Sequence, residues 1–127
     1  MLGTSAAVAS FAVDDLDAAR TFYAETLGLK VDEIPMPGGL LSITLAGGGN
    51  VMVYPKPDYT PATFTVLSFP VDDLDATVDA LTAAGVEMTR YDGFDQDDKG
   101  IARGGPGPAI AWFTDPAGNI LAVLEPV

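Results

Sequence analysis

The 127-residue chain contains no cysteine and no histidine. Without cysteine it can form neither a disulfide nor a metal thiolate, which is typical of a cytoplasmic protein, and we expect that location. Without histidine it lacks the commonest general base and the commonest transition-metal ligand. Serine–histidine–aspartate chemistry and zinc-hydrolase chemistry are therefore excluded.

Basic residues are also scarce, with six lysines and arginines against 18 acidic residues and a net charge of −12. Such a surface repels phosphate backbones, so we expect no nucleic-acid partner. It favours cationic ligands, or it serves only to keep the protein in solution. No apolar run approaches the roughly 18 residues of a membrane helix, so no membrane partner is expected. Residues 1–9 lack the basic start of a secretory signal, and none is predicted.

One stretch of sequence occurs twice. Ser10–Ala18 reads SFAVDDLDA, and Ser68–Ala76, 58 residues later, reads SFPVDDLDA. In each copy an apolar strand end runs into an aspartate pair, which predicts a helix N-cap and an acidic first turn. Gly28 ends the first predicted helix and Gly85 the second. The repeat predicts two copies of one structural unit.

Both copies continue in the same order of strand, helix and three strands. The fold class is therefore α+β, with two βαβββ modules in tandem, at about 6–54 and 63–125 of a single domain covering 1–127. The proline-rich stretch 55–61 is the predicted linker. The predicted strands cover 6–13, 30–34, 40–46 and 50–54 in the first module, and 63–69, 86–90, 109–113 and 120–124 in the second.

These residues resemble the vicinal oxygen chelate superfamily, which includes glyoxalase I, extradiol dioxygenases and bleomycin-resistance proteins. The matching motifs are Val13–Ala19 leading to Phe22-Tyr23 and Leu27–Leu29, the repeat at Val71–Asp75, and Phe113–Asn119. The resemblance implies two modules whose mixed sheet curls around a cavity, in a glyoxalase-like arrangement. It also implies a homodimer, which we expect here. In that family the aspartate–proline–alanine–glycine–asparagine turn is structural.

The resemblance also implies where a divalent metal would be held, by side chains from four strands. The corresponding positions here are Val8, Val66, Ala122 and either Val51 or Val53. Aliphatic side chains supply no donor to a divalent ion. We therefore expect no metal and no other cofactor.

Our first hypothesis is a metal-free protein that binds an apolar or cationic small organic molecule between the modules. The expected pocket residues are Val8, Val51, Val53, Val66, Trp112, Ala122 and Phe94. If Phe113 packs under the helices, strand alternation points Trp112 into the cavity. The alternative is that the cavity has filled in and that these side chains are ordinary core.

The second hypothesis is a metal-independent isomerase or lyase of the same fold. Its available acid–base groups near the expected rim are Tyr54, Tyr91, Asp95 and Glu125, and no catalytic residue is assigned. A buried carboxylate or tyrosine with a perturbed pKa would favour this hypothesis.

A third hypothesis is calcium or magnesium bound by the loop aspartates Asp92, Asp95, Asp97 and Asp98. Their spacing lacks the alternation and closing glutamate of a calcium-binding loop. We interpret the loop as a mobile acidic flap, with Phe94 as an apolar lid residue over the cavity mouth.

Overall fold

The computed structural model describes residues 1–126, which form an α+β fold with two compact units. The first unit is Met1–Pro61, and the second begins at Ala62. Each unit contains its own sheet of parallel and antiparallel strands. Within residues 1–126, no helix has both the length and the apolar character needed to cross a membrane.

The regular elements of the first unit are β1 Ala9–Val13, α1 Leu16–Thr21, β2 Lys30–Ile34, β3 Leu40–Thr44 and β4 Asn50–Pro55. Its sheet has four strands in the order β1-β4-β3-β2. β1 runs parallel to β4, and the other neighbours are antiparallel. The helix α1 follows β1 and continues directly into a π-helical segment, Phe22–Thr26.

The core of this unit lies between the helical segment and one face of the sheet. Phe11, Val53 and Leu41 are neighbours across three paired strands and are almost completely buried. The Phe11 ring lies 5.9 Å from that of Tyr23, which is itself fully buried. Because strand residues alternate between faces, Ser10 and its even-numbered neighbours lie on the opposite face of the sheet.

The first helix has the predicted start and end. Asp15 is the N-cap, and its carboxylate accepts a hydrogen bond from Ala18 N at 3.1 Å. Gly28 adopts a positive φ of 73°, after which Leu29 N donates to Tyr23 O at 2.9 Å. A residue with a side chain adopts that backbone conformation only with strain, so glycine is the favoured residue there.

The regular elements of the second unit are β5 Thr65–Pro70, α2 Leu74–Ala83, β6 Ile110–Thr114 and β7 Ile120–Leu124. Its three-stranded sheet has the order β5-β7-β6, with β5 parallel to β7 and β6 antiparallel to β7. The helix α2 packs against β7, and Leu74 and Val78 are its buried residues. Asp73 is the N-cap of α2, and its carboxylate accepts a hydrogen bond from Ala76 N at 3.0 Å.

The predicted strand at 86–90 is wrong, since only Thr89 forms an isolated bridge, to Trp112 on the free edge of β6. Ala102 forms a second isolated bridge on that edge, to Ile110. The long loop before β6 therefore shares the edge with residues 86–90, which leaves too few ladder hydrogen bonds for a regular strand.

The run 6–13 is apolar and uncharged, which predicts a strand buried on both faces, but the observed strand is shorter and more exposed. β1 begins at Ala9, and both Ala9 and Ser10 are exposed. As the outer strand of its sheet, β1 has a paired neighbour on one side only, which is the side of β4. An apolar, uncharged run does not distinguish such an edge strand from a central one.

Candidate functional site

Two aromatic side chains of the second unit, Tyr91 and Phe94, contact Trp112. The centroid of the Trp112 ring lies 5.4 Å from that of Tyr91 and 5.0 Å from that of Phe94, with interplanar angles of 82° and 61°. Such edge-to-face pairs contribute about 0.5–1.5 kcal/mol each beyond the area that they bury. Trp112 is half-buried and Phe94 is 56% exposed. The cluster therefore keeps part of its aromatic surface open to solvent.

The backbone brings these rings together. In β6, Ala111 and Phe113 are buried on one face of the sheet, so Trp112 lies on the other face. Thr89 N donates to Trp112 O at 2.8 Å, which holds residues 89–91 beside the edge of β6. Phe94 N donates to Tyr91 O at 3.4 Å in the turn that follows. The predicted direction of Trp112, away from the buried Phe113, is consistent with this pairing.

A cavity of about 530 Å³ opens beside the cluster, and we call it the aromatic pocket. Its size lies within the range of small-molecule sites, about 300–1,000 Å³. Trp112, Phe94 and Ile110 supply its apolar wall. The other lining residues are Gly93, Asp95, Ala102, Arg103, Gly104, Gly105, Pro106, Gly107 and Pro108.

The charge of Arg103, at the edge of the aromatic pocket, is already compensated. Its guanidinium lies 2.8 Å from a carboxylate oxygen of Asp75, 3.3 Å from one of Asp97 and 4.0 Å from one of Glu125. An arginine engaged in this way is a poor receptor for an anionic ligand. We therefore assign Arg103 to holding the loop against α2.

Asp97 anchors the same loop. Its Oδ1 accepts hydrogen bonds from Lys99 N and Ile101 N, both at 2.9 Å. Burial acts to raise the pKa of Asp97, but the hydrogen bonds from Ile101 N, Arg103 and Lys99 N outweigh it and hold the pKa below its ordinary value. Ile101 is fully buried, so an apolar anchor and an ionic anchor lie side by side.

The residues at the expected metal positions do not fit a divalent ion. Val8 precedes β1 and is 48% exposed, while Val66 lies at an irregularity in β5 and is half-buried. Ala122 is fully buried in β7, where it is paired with Ser68 and Trp112. None of these side chains offers a donor atom. Among residues 1–126, no three acidic side chains come close enough together to hold a metal ion.

The strand pairing also gives the equivalent of Ala122 in the first unit. Ala122 is opposite Ser68, and the repeat partner of Ser68 is Ser10, which is opposite Met52. Met52 therefore occupies the equivalent position. Val51 and Val53 alternate with it and lie on the buried, Tyr23-facing side of the sheet, with exposures of 4% and 0%. The sequence alone did not distinguish these registers.

The loop aspartates do not converge on one point. The carboxylate of Asp97 already accepts hydrogen bonds from backbone N–H groups and from Arg103. The backbone carbonyl of Asp98 accepts a hydrogen bond from Arg90 at 2.9 Å. Asp92 and Asp95 are exposed. Of the predicted loop residues, the pocket includes Phe94 and Asp95.

The acid–base candidates are not buried. Tyr54 is 40% exposed, Asp95 and Glu125 are exposed, and Tyr91 is half-buried. The buried carboxylate among residues 1–126 is Asp115, which accepts from Asn119 N at 2.8 Å in the turn before β7. That interaction fits the structural role predicted for the turn.

A larger groove of about 730 Å³ lies in the first unit. It is lined by four acidic residues, Asp14, Asp15, Asp17 and Glu33, and by Leu16, Ile34, Pro35, Met36, Gly38, Gly39, Leu40 and Pro55. Three of the four carboxylates are already engaged, because Asp15 caps α1 and Arg20 binds Asp17 and Glu33 at 3.1 and 2.8 Å. Its lining contains no aromatic side chain, and we therefore take the aromatic pocket as the candidate site.

Sequence reasoning missed two parts of this site. The sequence indicated no functional role for residues 104–108, although they form one wall of the pocket. Gln96 was not singled out, and its side chain makes three hydrogen bonds to the backbone of the loop. The glycine and proline content of 104–108 was the available signal, whereas no sequence pattern marks Gln96.

Comparison with known proteins identifies the family. A sequence model of the Glyoxalase/Bleomycin resistance protein/Dioxygenase superfamily matches residues 6–123. The chain belongs to this superfamily, as the repeat and the turn motif predicted.

Two relatives from mycobacteria match at 30% identity over 117 residues. They are the proteins named "Putative glyoxylase CFP32" in Mycobacterium tuberculosis and Mycobacterium bovis. The match covers 87% of this chain but only 41% of each relative, so the chain spans about two fifths of their length.

Solved structures share the fold over nearly the whole chain. TnmS3, an antibiotic binding protein from a Streptomyces species, is 25% identical, with a TM-score of 0.70 over 95% of this chain and 96% of its own. The fosfomycin resistance protein FosX from Listeria monocytogenes is 15% identical, with a TM-score of 0.70 over 95% and 92%. The second likeness shows the fold alone.

Proposed function

We propose that this protein binds a small organic molecule, planar, aromatic and cationic, in the aromatic pocket and without a metal ion. The observation that carries the proposal is the open aromatic surface of Trp112 and Phe94 on a cavity of about 530 Å³. A planar ligand of drug size fits such a volume and can stack on one ring while it contacts the other edge to face.

The charge distribution favours a cation. The net charge of −12 attracts cationic molecules from solution. Inside the pocket, Asp95 contributes an exposed carboxylate, and the charge of Arg103 is offset by Asp75 and Asp97. The faces of Trp112 and Phe94 add an attraction for positive charge of about 0.5–1 kcal/mol at exposed sites.

The family context supports binding as the function. Members of this superfamily include resistance proteins, and TnmS3 is named as an antibiotic binding protein. The aliphatic residues at the expected metal positions support a mode of binding that needs no ion. A homodimer is part of the same proposal, and light scattering of the purified protein measures it.

The test uses Trp112 as the reporter, since it is the single tryptophan of the chain. Its fluorescence is followed during titration with bleomycin, with the cationic dye proflavine and with an anionic naphthalene sulfonate of similar size. We expect saturable changes with at least one cationic probe and weaker changes with the anionic one. An unchanged signal with every probe would contradict the proposal.

A matched pair of variants tests whether the ligand binds in the aromatic pocket. Phe94 and Phe64 are both exposed phenylalanines of the second unit, at 56% and 67%, but only Phe94 lines the aromatic pocket. We expect Phe94→Ala to weaken binding of the cationic probe and Phe64→Ala to leave it unchanged. Equal effects of the two changes would place the ligand elsewhere.

A further inference from the structure

The side-chain amide of Gln96 makes three hydrogen bonds within the loop that forms much of the aromatic pocket. Its Oε1 accepts from Tyr91 N at 2.9 Å, and its Nε2 donates to Thr89 O at 3.0 Å and to Gly100 O at 2.8 Å. All three partners are backbone groups, and the side chain is half-buried. One of these groups, Thr89 O, belongs to residues 86–90, so the amide gives that segment a hydrogen bond in the absence of a regular ladder.

The residues that Gln96 holds are those that position the aromatic rings. Thr89 donates from its backbone to Trp112 O at 2.8 Å, and the ring of Tyr91 lies 5.4 Å from that of Trp112. Phe94 lies between Tyr91 and Gln96 in sequence, so both ends of its short turn are fixed by the same amide. Besides these bonds, the turn has the 3.4 Å hydrogen bond from Phe94 N to Tyr91 O, and its end at Gln96 forms an isolated backbone bridge to Ala102.

The third contact ties this turn to the far side of the loop. Gly100 has a positive φ of 88°, and a Cβ on it would lie 3.1 Å from Cβ of Met88. Gly100 is therefore packed closely against the segment that carries Thr89. Beyond it, Ile101 is fully buried and Arg103 is held by Asp75 and Asp97. Gln96 thus connects the aromatic half of the loop to the half that is anchored in the core and on α2.

We infer that Gln96 is the positioning residue that holds Tyr91 and Phe94 against Trp112, and that it thereby sets the affinity of the aromatic pocket. This inference rests on the proposed function for its effect on affinity, but its effect on the rings is independent of any ligand. A pocket formed in only about a tenth of the molecules binds about tenfold more weakly. Gln96 acts by keeping the formed pocket populated.

The test compares Gln96→Met and Gln96→Glu with the unaltered protein. Methionine has similar length and makes none of the three hydrogen bonds, whereas glutamate can still accept from Tyr91 N and cannot donate when ionised. For Gln96→Met we expect increased quenching of Trp112 fluorescence by acrylamide, a loss of near-ultraviolet circular dichroism and about tenfold weaker binding of proflavine. For Gln96→Glu, the quenching, the circular dichroism and the affinity for proflavine should lie between the values of Gln96→Met and those of the unaltered protein.

Asn50→Ala is the matched control. Asn50 also makes a side-chain hydrogen bond, to Ser42 Oγ at 2.8 Å, but in the first unit. It should lower thermal stability without changing the accessibility of Trp112. If Asn50→Ala changed the Trp112 signals as strongly as Gln96→Met, the effect would be general destabilisation and the inference would be overturned.

The remaining outcomes separate the two proposals. Unchanged acrylamide quenching and unchanged circular dichroism in Gln96→Met would overturn the role of Gln96, whatever the protein binds. Changed Trp112 signals in that variant, together with no binding of any probe by the unaltered protein, would support the positioning role and contradict the proposed function.

Discussion

The rings of Phe94 and Trp112 lie 5.0 Å apart at an angle of 61°, although 18 positions separate the two residues in sequence. Trp112 is held in β6, while Phe94 lies in an irregular turn and is 56% exposed. The contact therefore joins a rigid element to a segment that depends on side-chain hydrogen bonds for its shape. The effects that we expect of substitutions in the pocket follow from this difference between a strand and an irregular turn.

Removal of the Phe94 ring should uncover Trp112. In Phe94→Ala we expect a red shift of Trp112 emission and increased quenching by acrylamide. The loss in free energy of unfolding should be about 1 kcal/mol or less, because the side chain is mostly exposed. Phe64→Ala is the control and should leave the emission unchanged. Emission that is identical in Phe94→Ala and the unaltered protein would show that the two rings are not in contact in solution.

Ile101 should be the main apolar anchor of the loop, since it is fully buried. Ile101→Ala should lower the free energy of unfolding in urea by about 2–5 kcal/mol, and Ile101→Val by about 0.5–1.5 kcal/mol. A loss below about 0.5 kcal/mol for the alanine variant would show that the loop is not packed as described.

The contribution of Asp97 to the free energy of unfolding should decrease in acid. Its folded pKa is depressed below the ordinary value of 3.8, so its contribution is complete above that pH and is lost as the pH falls through the folded pKa. The difference in free energy of unfolding between the unaltered protein and Asp97→Asn should be below about 1 kcal/mol at neutral pH, because the carboxylate is partly exposed. It should shrink in more acidic solution.

Asp98→Asn is the control for this measurement, since the contact recorded for Asp98 with Arg90 is made by its backbone carbonyl. We expect that variant to differ little from the unaltered protein at either pH. A difference for Asp97→Asn that grows on acidification would reverse the assigned direction of its pKa shift.

The two copies of the repeat offer a matched test of helix capping. Asp15 and Asp73 lie 58 positions apart and cap α1 and α2 through Ala18 N and Ala76 N. Asp15→Ala and Asp73→Ala should each cost about 1 kcal/mol of stability. Asp14→Ala and Asp72→Ala, at the preceding positions, should cost clearly less. A loss for Asp14→Ala as large as that for Asp15→Ala, or for Asp72→Ala as large as that for Asp73→Ala, would contradict the capping assignment.

Much of the architecture was predictable because it is encoded locally. The aspartates that begin each helix and the glycines that end it act within one turn, so Asp15, Gly28 and Asp73 behave as their positions in the repeat suggested. The family motifs extended that information to the order of the strands. Strand ends were less predictable, as the exposed start of β1 shows.

The pocket was only partly predictable, because its shape depends on contacts between distant residues. Trp112 and Phe94 were expected to line a cavity between the modules; both line the aromatic pocket, which is formed by residues of the second unit, and their contact with a ligand stays a prediction. Whether Val8, Val66 and Ala122 contact a ligand stays a prediction. The pairing of β4 with β1 places Met52, and neither Val51 nor Val53, at the position equivalent to Ala122. That pairing joins residues far apart in sequence. The connection through Gln96 joins backbone groups that no periodic pattern brings together.

The central claim, that an aromatic cation binds beside Trp112 without a metal, is tested most directly by calorimetric titration with proflavine. The titration is run before and after exhaustive dialysis against EDTA, with the unaltered protein and with Trp112→Leu. We predict the same dissociation constant before and after dialysis, and binding about two- to tenfold weaker in Trp112→Leu, the loss expected for one aromatic contact of about 0.5–1.5 kcal/mol. Binding that disappears with EDTA and returns with a divalent ion, or that persists unchanged in Trp112→Leu, would contradict the claim.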